Sequence, residues 1–287
     1  MQNFKNHLFA DCDSGYDDAR YVVFGVPYDG TTTFRPGTRE GPRAIREFSW
    51  NFETYMPSYG LNFSDIPITD LGDIDIGVVP EDVVADVFAE VQEIVRDGKI
   101  PVMLGGEHSI TTGAVRAVQP DCYVVCDAHL DLRDEFRGTP YNHACTTRRV
   151  LEDGIKDIII VGGRSGTKDQ FELAKSLTLY TADEIHKRGM DSVMNEIKDA
   201  IGKKRVYLSI DADAIDCCLT PGLGTPEPFG LTPQDIRDLI RVVAPHAVAF
   251  DYVEVSPFDH GQTATVAAQL VREFIAAHVK FSQKINS

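Results

Sequence analysis

The sequence predicts a single α/β domain with a mainly parallel sheet and helices on both faces. Short runs rich in Val, Ile and Tyr alternate with longer amphipathic segments along the whole chain, which is the pattern of consecutive β-α-β units. The 287 residues are 43% apolar and 25% charged, which is typical of a soluble globular protein. No repeat, linker or low-complexity tract divides the chain, so we expect one domain over residues 1–287.

Buried strands are expected where apolar or β-branched residues run together between turn residues. Taken in order, the expected strands are 21–25, 66–71, 101–104, 122–126, 158–161, 177–180, 206–210 and 247–253. The strand at 66–71 carries the weakest pattern, because its apolar residues are interrupted by Thr and Asp.

Helices are expected where apolar residues recur at helical spacing after a start signal. Pro80 opens one helix whose apolar stripe ends before Gly98, and Thr232 followed by Pro233 starts another. We also expect Ser109 to cap the helix that follows it. The remaining expected helices are 43–48, 110–118, 144–152, 169–176, 192–201 and 263–281.

Polar side chains of metal-ligand type follow the predicted strand 122–126. Asp127, His129 and Asp131 are spaced i, i+2, i+4, which points all three in one direction on an extended backbone. Two carboxylates ~4 Å apart repel by roughly 4 kcal/mol at a protein-like dielectric, so the triplet favours a bound cation. Taken singly, an Asp after a strand is usually a turn former, and a lone His is usually a core residue.

Two further strand ends favour the metal interpretation. A glycine pair after strand 101–104 lets the backbone turn sharply and present His108. Strand 206–210 ends in Asp211 and Asp213. Open parallel sheets bind ligands beyond the carboxyl ends of their strands, so these side chains are predicted to meet at one edge.

Four ordered motifs make the chain resemble the ureohydrolase (arginase/agmatinase) family, and agmatinases most. They are Gly-Gly-Glu-His-Ser at 105–109, Asp-Ala-His-Leu-Asp at 127–131, Ser-Ile-Asp-Ala-Asp at 209–213 and Asp-Tyr-Val-Glu-Val-Ser-Pro at 251–257. The loop at 222–228 also matches, and the resemblance covers about residues 21–275. It implies a three-layer α/β/α arginase-like fold, two manganese ions per chain, a homo-oligomer (trimer or hexamer) and hydrolysis of a guanidinium group with release of urea.

The resemblance implies which residues hold the two ions. One ion is assigned to His108, Asp127, Asp131 and Asp211, and the other to His129, Asp127, Asp211 and Asp213. Four carboxylates with one imidazole for each ion form an oxygen-rich set, which favours manganese over zinc. Two such ions lower the pKa of a shared water, as attack on a resonance-stabilised guanidinium requires.

Two catalytic residues are implied in the same way. His143 matches the loop histidine that moves a proton to the leaving amine, and Glu254 matches the carboxylate that binds the guanidinium as a planar pair. Without the resemblance, His143 would be an exposed loop histidine and Glu254 a salt-bridge partner. We expect Asp251, on the preceding strand, to support the site and not to bind an ion.

Departures from the family pattern bear on the substrate. The loop 132–142 lacks the polar Asn/Ser pattern by which arginases hold an α-carboxylate, and 163–167 has no acid after its Arg to hold an α-amino group. Agmatine, cleaved to putrescine and urea, is therefore the expected substrate. Glu107 stands where many members have Asp, which we expect to matter little. Phe229 replaces a glycine, which we expect to narrow one pocket wall.

Alternative functions stay open at this point. A guanidinobutyrase or an arginase would use the same metal site and differ in what binds the far end of the substrate. A non-catalytic metal-binding subunit is the alternative of another class, although such a protein is expected to have lost at least one ligand. All six ligand positions are present here.

Charge and cysteine usage bound the partners and the compartment. A formal net charge of −16 excludes nucleic acid and anionic membranes as expected partners and suits a small cationic guanidino substrate. The first 18 residues lack the layout of a signal peptide, so we expect a cytoplasmic protein. The six cysteines form no Cys-x-x-Cys pattern, and we expect free thiols.

Overall fold

Eight parallel strands form the central sheet of the protein in a computed structural model that describes residues 8–282. The strands are β1 (Tyr21–Val26), β2 (Tyr55–Met56), β3 (Leu61–Asn62), β4 (Ile68–Asp73), β5 (Ile100–Gly105), β6 (Cys122–Cys126), β7 (Asp157–Gly163), β8 (Thr178–Thr181), β9 (Val206–Asp211) and β10 (Ala247–Val253). The sheet order is β4-β1-β5-β10-β9-β6-β7-β8, and β2 and β3 form a separate antiparallel hairpin. Strands β1, β6 and β9 are buried along their whole length because helices cover both faces.

Alternate residues of the strands face two separate cores. The helices are α1 (Gly41–Ser49), α2 (Pro80–Arg96), α3 (Thr111–Val118), α4 (Thr146–Glu152), α5 (Lys168–Ala174), α6 (Ala182–Arg188), α7 (Met190–Ile201), α8 (Pro233–Val243) and α9 (Gln262–Ser282). In β1, Tyr21 and Val23 pack with α1, α8 and α9, whereas Val22 and Phe24 pack with α2 and α3. The predicted three-layer α/β/α arrangement is therefore confirmed.

Every predicted strand is present, but one helix and the β2–β3 hairpin were not predicted. The unpredicted helix α6 has two fully buried side chains, Ala182 and Ile185, so it carries little apolar periodicity. Its start signal is clear, because the Thr181 hydroxyl accepts a hydrogen bond from the backbone N–H of Glu184. The expectation that Ser109 caps α3 is wrong, since its hydroxyl donates to a carboxylate two residues earlier and a 3₁₀ turn precedes the helix.

The register of the strands determines which polar residues lie next to each other at the carboxyl edge of the sheet. Cys126 of β6 pairs with Ile210 of β9, so Asp127 emerges beside Asp211. Glu254 follows directly after the neighbouring strand β10. The predicted convergence at the carboxyl edge follows from this register.

Two further expectations concern cysteines and membranes. All six cysteines lie within the described residues and are free, with Cys122 and Cys126 fully buried. Among residues 8–282, no helix has both the length and the apolar character that a membrane crossing requires. The stretch 1–18, where we expect no signal peptide, lies partly outside the described residues.

Candidate metal centre and substrate pocket

His108 lies among three carboxylates that come from two different strand ends. Its Nδ1 atom is 3.2 Å from Oδ2 of Asp127, 3.3 Å from Oδ2 of Asp131 and 3.3 Å from Oδ2 of Asp211. All four side chains are buried. Asp131 reaches this position with a φ of 49°, a left-handed conformation that is uncommon for a residue other than glycine.

A second group of donors shares Asp127 with the first. Nδ1 of His129 lies 2.9 Å from Oδ2 of Asp213 and 3.7 Å from Oδ1 of Asp127. One donor atom from each of these three residues lies within 4.8 Å of the others. The six residues predicted from the sequence are therefore brought together as two adjacent groups.

Burial and mutual repulsion raise the pKa values of two carboxyl groups in this cluster. Burial, together with the charges of Asp213 and Asp127, raises the pKa of Asp211 well above its ordinary value. Burial and the charge of Asp127 raise the pKa of Asp131 to about 6. Positive charge placed between these groups would relieve the repulsion.

Unpaired buried atoms show that the cluster fits metal ions. His108 Nδ1 and Asp127 Oδ2 are buried and, although they lie 3.2 Å apart, neither makes a hydrogen bond of acceptable geometry among the described residues. Buried polar atoms without a partner are costly, and both atoms are of a kind that binds a divalent cation. Their positions inside an oxygen-rich group fit the expected binuclear centre.

A buried hydrogen-bond chain orients His108 from behind. Its Nε2 lies 3.0 Å from the hydroxyl of Ser209, which donates to Oδ1 of Asp251 at 2.5 Å. The hydroxyls of Tyr207 and Thr111 donate to Oδ2 of Asp251 at 2.7 and 2.8 Å. This chain directs Nδ1 of His108 toward the carboxylates, and Asp251 is a supporting residue, as expected.

Glu254 and His143 lie together beside the cluster. Oε1 of Glu254 accepts the backbone N–H of His108 at 2.8 Å and lies 3.3 Å from Nδ1 of His143. Glu254 has a φ of 63°, and its backbone N–H donates to the carbonyl of Gly106, so the chain turns sharply after β10. On its other side, Nε2 of His143 lies 3.2 Å from the hydroxyl of Thr33.

The pKa of His143 is raised to about 9. Burial lowers this pKa, but the hydrogen bond and the negative charge of Glu254 more than offset the effect of burial. Glu254 therefore favours the protonated form of the His143 imidazole. A protonated imidazole next to an anionic carboxylate can hold a proton for transfer.

A cavity of about 310 Å³ opens onto the cluster. Its lining includes the candidate site residues His129, Asp131, Asp211, His143 and Glu254. The other lining residues are Thr33, Arg133, Phe136, Ala144, Ser165, Gly166, Thr167, Gln170 and Thr225. The cavity therefore connects the candidate metal centre with a polar pocket for the rest of a small molecule.

Comparison with known proteins settles the family. A model of the Arginase family matches residues 19–277. The chain belongs to the arginase family. It is 39% identical over 274 residues to the N(1)-aminopropylagmatine ureohydrolase of Thermococcus kodakarensis, covering 93% of each chain. It is 36% identical to the agmatinase of Pyrococcus horikoshii, covering 88% of this chain and 89% of the relative.

A solved structure agrees with the sequence relatives. The agmatine ureohydrolase of Thermoplasma volcanium superposes with a TM-score of 0.92 at 41% identity, covering 97% of this chain and 96% of that one. The protein is thus an arginase-family ureohydrolase with the arginase fold. Enzymes of the arginase family are binuclear metal enzymes, which agrees with the two adjacent donor groups.

Three residues of this arginase-family site make contacts that the sequence analysis did not predict. Glu107 is fully buried and accepts hydrogen bonds from the backbone N–H and the hydroxyl of Thr31, at 2.7 and 2.5 Å. Arg133 lines the pocket with its guanidinium 4.4 Å from the ring of Phe136. Glu227 lies 3.6 Å from Nε2 of His129, and the motif at 222–228 was its only signal in the sequence.

The expectation that Phe229 narrows one pocket wall is wrong. Its side chain is 75% exposed and faces a separate surface cavity beside Arg164 and Phe171. Its φ of 62° lies in the left-handed region that glycine adopts without strain. A glycine at this position would therefore ease the left-handed backbone conformation and would not change the width of the substrate pocket.

Proposed function

We propose that the protein is an agmatinase, which hydrolyses agmatine to putrescine and urea with two manganese ions. The observation that carries this proposal is the position of Glu254 and His143. The Glu254 carboxylate and the His143 imidazole, 3.3 Å apart, lie in the same cavity as residues of the donor cluster. This arrangement provides one group to bind a guanidinium and another to deliver a proton.

The ions would be held by the residues implied by the sequence motifs. His108, Asp127, Asp131 and Asp211 would hold one, and His129, Asp127, Asp211 and Asp213 the other. When bound, the two ions supply a strong oxygen nucleophile from water near neutral pH. The preference for manganese rests on the four carboxylates and on the single imidazole available to each ion.

Glu254 would bind and orient the substrate guanidinium. Its Oε1 atom is already fixed by the backbone N–H of His108, so the plane of the carboxylate is set before substrate arrives. A planar guanidinium can then pair with the carboxylate and present its central carbon to the metal side of the pocket.

His143 would hold the proton that the leaving amine requires. Its Nδ1 faces Glu254 and its Nε2 faces Thr33, so the ring is held from both sides. Glu254 raises the pKa of His143 to about 9, which favours the protonated imidazole. Transfer to the departing nitrogen lets putrescine leave as an amine and not as an unstable anion.

The far end of the pocket raises a second candidate, a guanidinobutyrase. Agmatine agrees with the relatives, whose names specify agmatine or aminopropylagmatine, and with the net charge of −16. Arg133, however, is the only Arg or Lys among the described residues that line the pocket, and it has no carboxylate partner among them. A guanidinium there favours a substrate that ends in a carboxylate.

A urea-release assay decides between these candidates. We expect the highest kcat/KM for agmatine when agmatine, N(1)-aminopropylagmatine, 4-guanidinobutyrate and arginine are compared. Arg133→Gln should leave or raise kcat/KM for agmatine, because it removes a like charge. If 4-guanidinobutyrate is preferred and Arg133→Gln lowers its kcat/KM by roughly 10- to 100-fold, as loss of a charged hydrogen bond predicts, the second candidate replaces the first.

We also infer the cellular setting from the family resemblance. The enzyme would act in the cytoplasm as a homo-oligomer, a trimer or hexamer, and supply putrescine for polyamine biosynthesis. Size determination by light scattering tests the oligomer, and a monomer with full activity would contradict it.

A further inference from the structure

A separate group of metal-ligating side chains lies on the loop that follows β9. One donor atom from each of Asp216, Cys217 and Cys218 lies within 4.8 Å of the other two. We call this segment, residues 216–218, the thiol turn. None of its side chains is among those that line the substrate pocket, and the proposed function uses none of them.

The carboxylate of Asp216 holds the turn in place. Its Oδ1 accepts the backbone N–H of Cys218 at 2.8 Å, and its Oδ2 accepts that of Gly230 at 2.9 Å. Partial burial raises the pKa of Asp216, but these N–H groups lower it below the ordinary value, so the carboxylate is anionic at neutral pH. These two hydrogen bonds account for the conformation of the turn without either thiol.

We propose that the thiol turn binds a thiophilic divalent cation, such as Zn²⁺ or Cd²⁺, at a site separate from the His/Asp centre. Two thiolates with one carboxylate form a donor set that suits these ions and does not suit manganese. Cys218 is exposed, and Cys217 is half-buried with one side against the hydrophobic core, so an ion would approach from the side of Cys218. The carboxylate supplies a fixed negative charge on the third side.

Binding at this site must release protons. The hydrogen bond with Asp216 raises the pKa of Cys218, so its thiol is protonated before an ion arrives. As each sulfur forms its bond to the ion, its S–H bond breaks and the proton leaves to solvent. One ion bound by both cysteines therefore releases about two protons.

The same loop contacts the metal centre. The backbone N–H of Cys217 donates to the carbonyl of Glu227 at 3.4 Å, and Oε1 of Glu227 lies 3.6 Å from Nε2 of His129. Thr225, between them in the chain, lines the substrate pocket. We therefore expect an ion on the thiol turn to lower kcat/KM. This second step, unlike binding itself, rests on the proposed function.

Cadmium titration of the manganese-loaded protein tests the binding. Coordination of Cd²⁺ by thiolate gives an ultraviolet charge-transfer band, which the His/Asp centre cannot produce because it contains no sulfur. We expect one equivalent of Cd²⁺ to give this band and to release about two protons. Cys217→Ser or Cys218→Ser should weaken this binding roughly tenfold or more, and Cys12→Ser, a half-buried cysteine elsewhere, should not.

Two results would overturn the proposal. One is wild-type protein without a charge-transfer band, and the other is a band that persists in the Cys217→Ser/Cys218→Ser double variant. For the second step, cadmium should inhibit urea release from agmatine by the wild type more than by the double variant, and equal inhibition would overturn the coupling. Failure of the proposed function would be seen separately, as absence of agmatine hydrolysis without cadmium.

Discussion

Glu254 is the residue whose substitution tests the substrate orientation most sharply. Glu254→Gln keeps the size of the side chain and one acceptor oxygen, but it removes the charge and points an NH₂ at the N–H donors of the substrate. Loss of a charged bidentate contact in a buried site costs on the order of 2–5 kcal/mol. We expect kcat/KM for agmatine to fall by roughly 30-fold to several thousand-fold, with the fold and the metal content kept.

The matched control is Glu135→Gln, which changes an exposed carboxylate on the loop at the pocket mouth. This variant should keep the wild-type kcat/KM. Steady-state kinetics with metal analysis on both proteins makes the comparison. Wild-type kcat/KM in Glu254→Gln with both ions bound would mean that Glu254 does not anchor the guanidinium.

At the residue scale, the sequence predicted those side chains whose residue type and spacing are typical of metal ligands. His and Asp residues at strand ends could be predicted to meet because parallel strands end at one edge of the sheet. Arg133 could not be placed in the pocket in this way. Its position depends on where the loop 132–142 folds and on the ring of Phe136, which are tertiary properties.

At the scale of elements, the loop after β1 links the end of β5 to His143 through hydrogen bonds of Thr31. Glu107, at the end of β5, accepts hydrogen bonds from the backbone N–H and hydroxyl of Thr31. The hydroxyl oxygen of Thr31 accepts the backbone N–H of His143 at 3.0 Å. Glu107 thus positions His143 through Thr31, which gives this carboxylate more importance than the sequence suggested.

A double-mutant cycle tests this connection. His143→Ala should lower kcat by roughly 10²- to 10⁴-fold with metal content unchanged, since general acid catalysis is lost. Glu107→Gln turns an NH₂ toward the Thr31 donors and should lower kcat more than it raises KM. Because both act through one imidazole, the double variant should be about as slow as His143→Ala alone.

Steady-state kinetics of the two single variants and the double variant gives the answer. If the two losses multiply, Glu107 acts independently of His143 and the proposed connection is wrong. A lower metal content in Glu107→Gln would point in the same direction, because it would place the effect at the donor cluster.

Sequence patterns predicted elements with strong periodicity and missed those without it. Most of the sheet strands were predicted because they are continuous apolar runs between turn residues, and the interrupted run at 66–71 gave the weakest pattern. The helix α6 and the β2–β3 hairpin were not, since each buries few side chains. The hairpin has two residues in each strand, too few to show an alternating pattern.

At the scale of the whole molecule, His278 links the last helix to the first strand. Its Nδ1 lies 2.7 Å from the hydroxyl of Tyr21, and the ring is buried. Burial, with a smaller effect of Arg20, lowers the pKa of His278 to about 4. The folded protein therefore holds this imidazole neutral, whereas an unfolded chain protonates it below about pH 6.5.

This difference predicts how stability depends on pH. Between pH 6.5 and pH 4 the unfolded state binds the extra proton, so the free energy of unfolding falls as pH falls. The contribution of His278 is complete above pH 6.5 and is lost as pH falls through about 4. When the pH is lowered from 7.5 to 5, the free energy of unfolding should fall in both proteins, and the fall should be about 2 kcal/mol smaller in His278→Gln than in the wild type.

Urea unfolding at the two pH values, under the same metal conditions, measures the difference. His186→Gln, which changes an exposed histidine on α6, is the matched control and should follow the wild type. Equal losses in wild type and His278→Gln would show that His278 is not held neutral by the fold.

The two metal ions that each chain is proposed to bind at the six-residue cluster are the basis of the proposed hydrolase activity. Manganese titration of the metal-free protein, with bound metal and agmatine hydrolysis measured on the same samples, tests it most directly. We predict that activity rises until two ions are bound per chain, and that Asp127→Asn, which alters the carboxylate shared by both donor groups, loses bound metal and activity together. Full activity with one ion per chain would contradict the two-ion account.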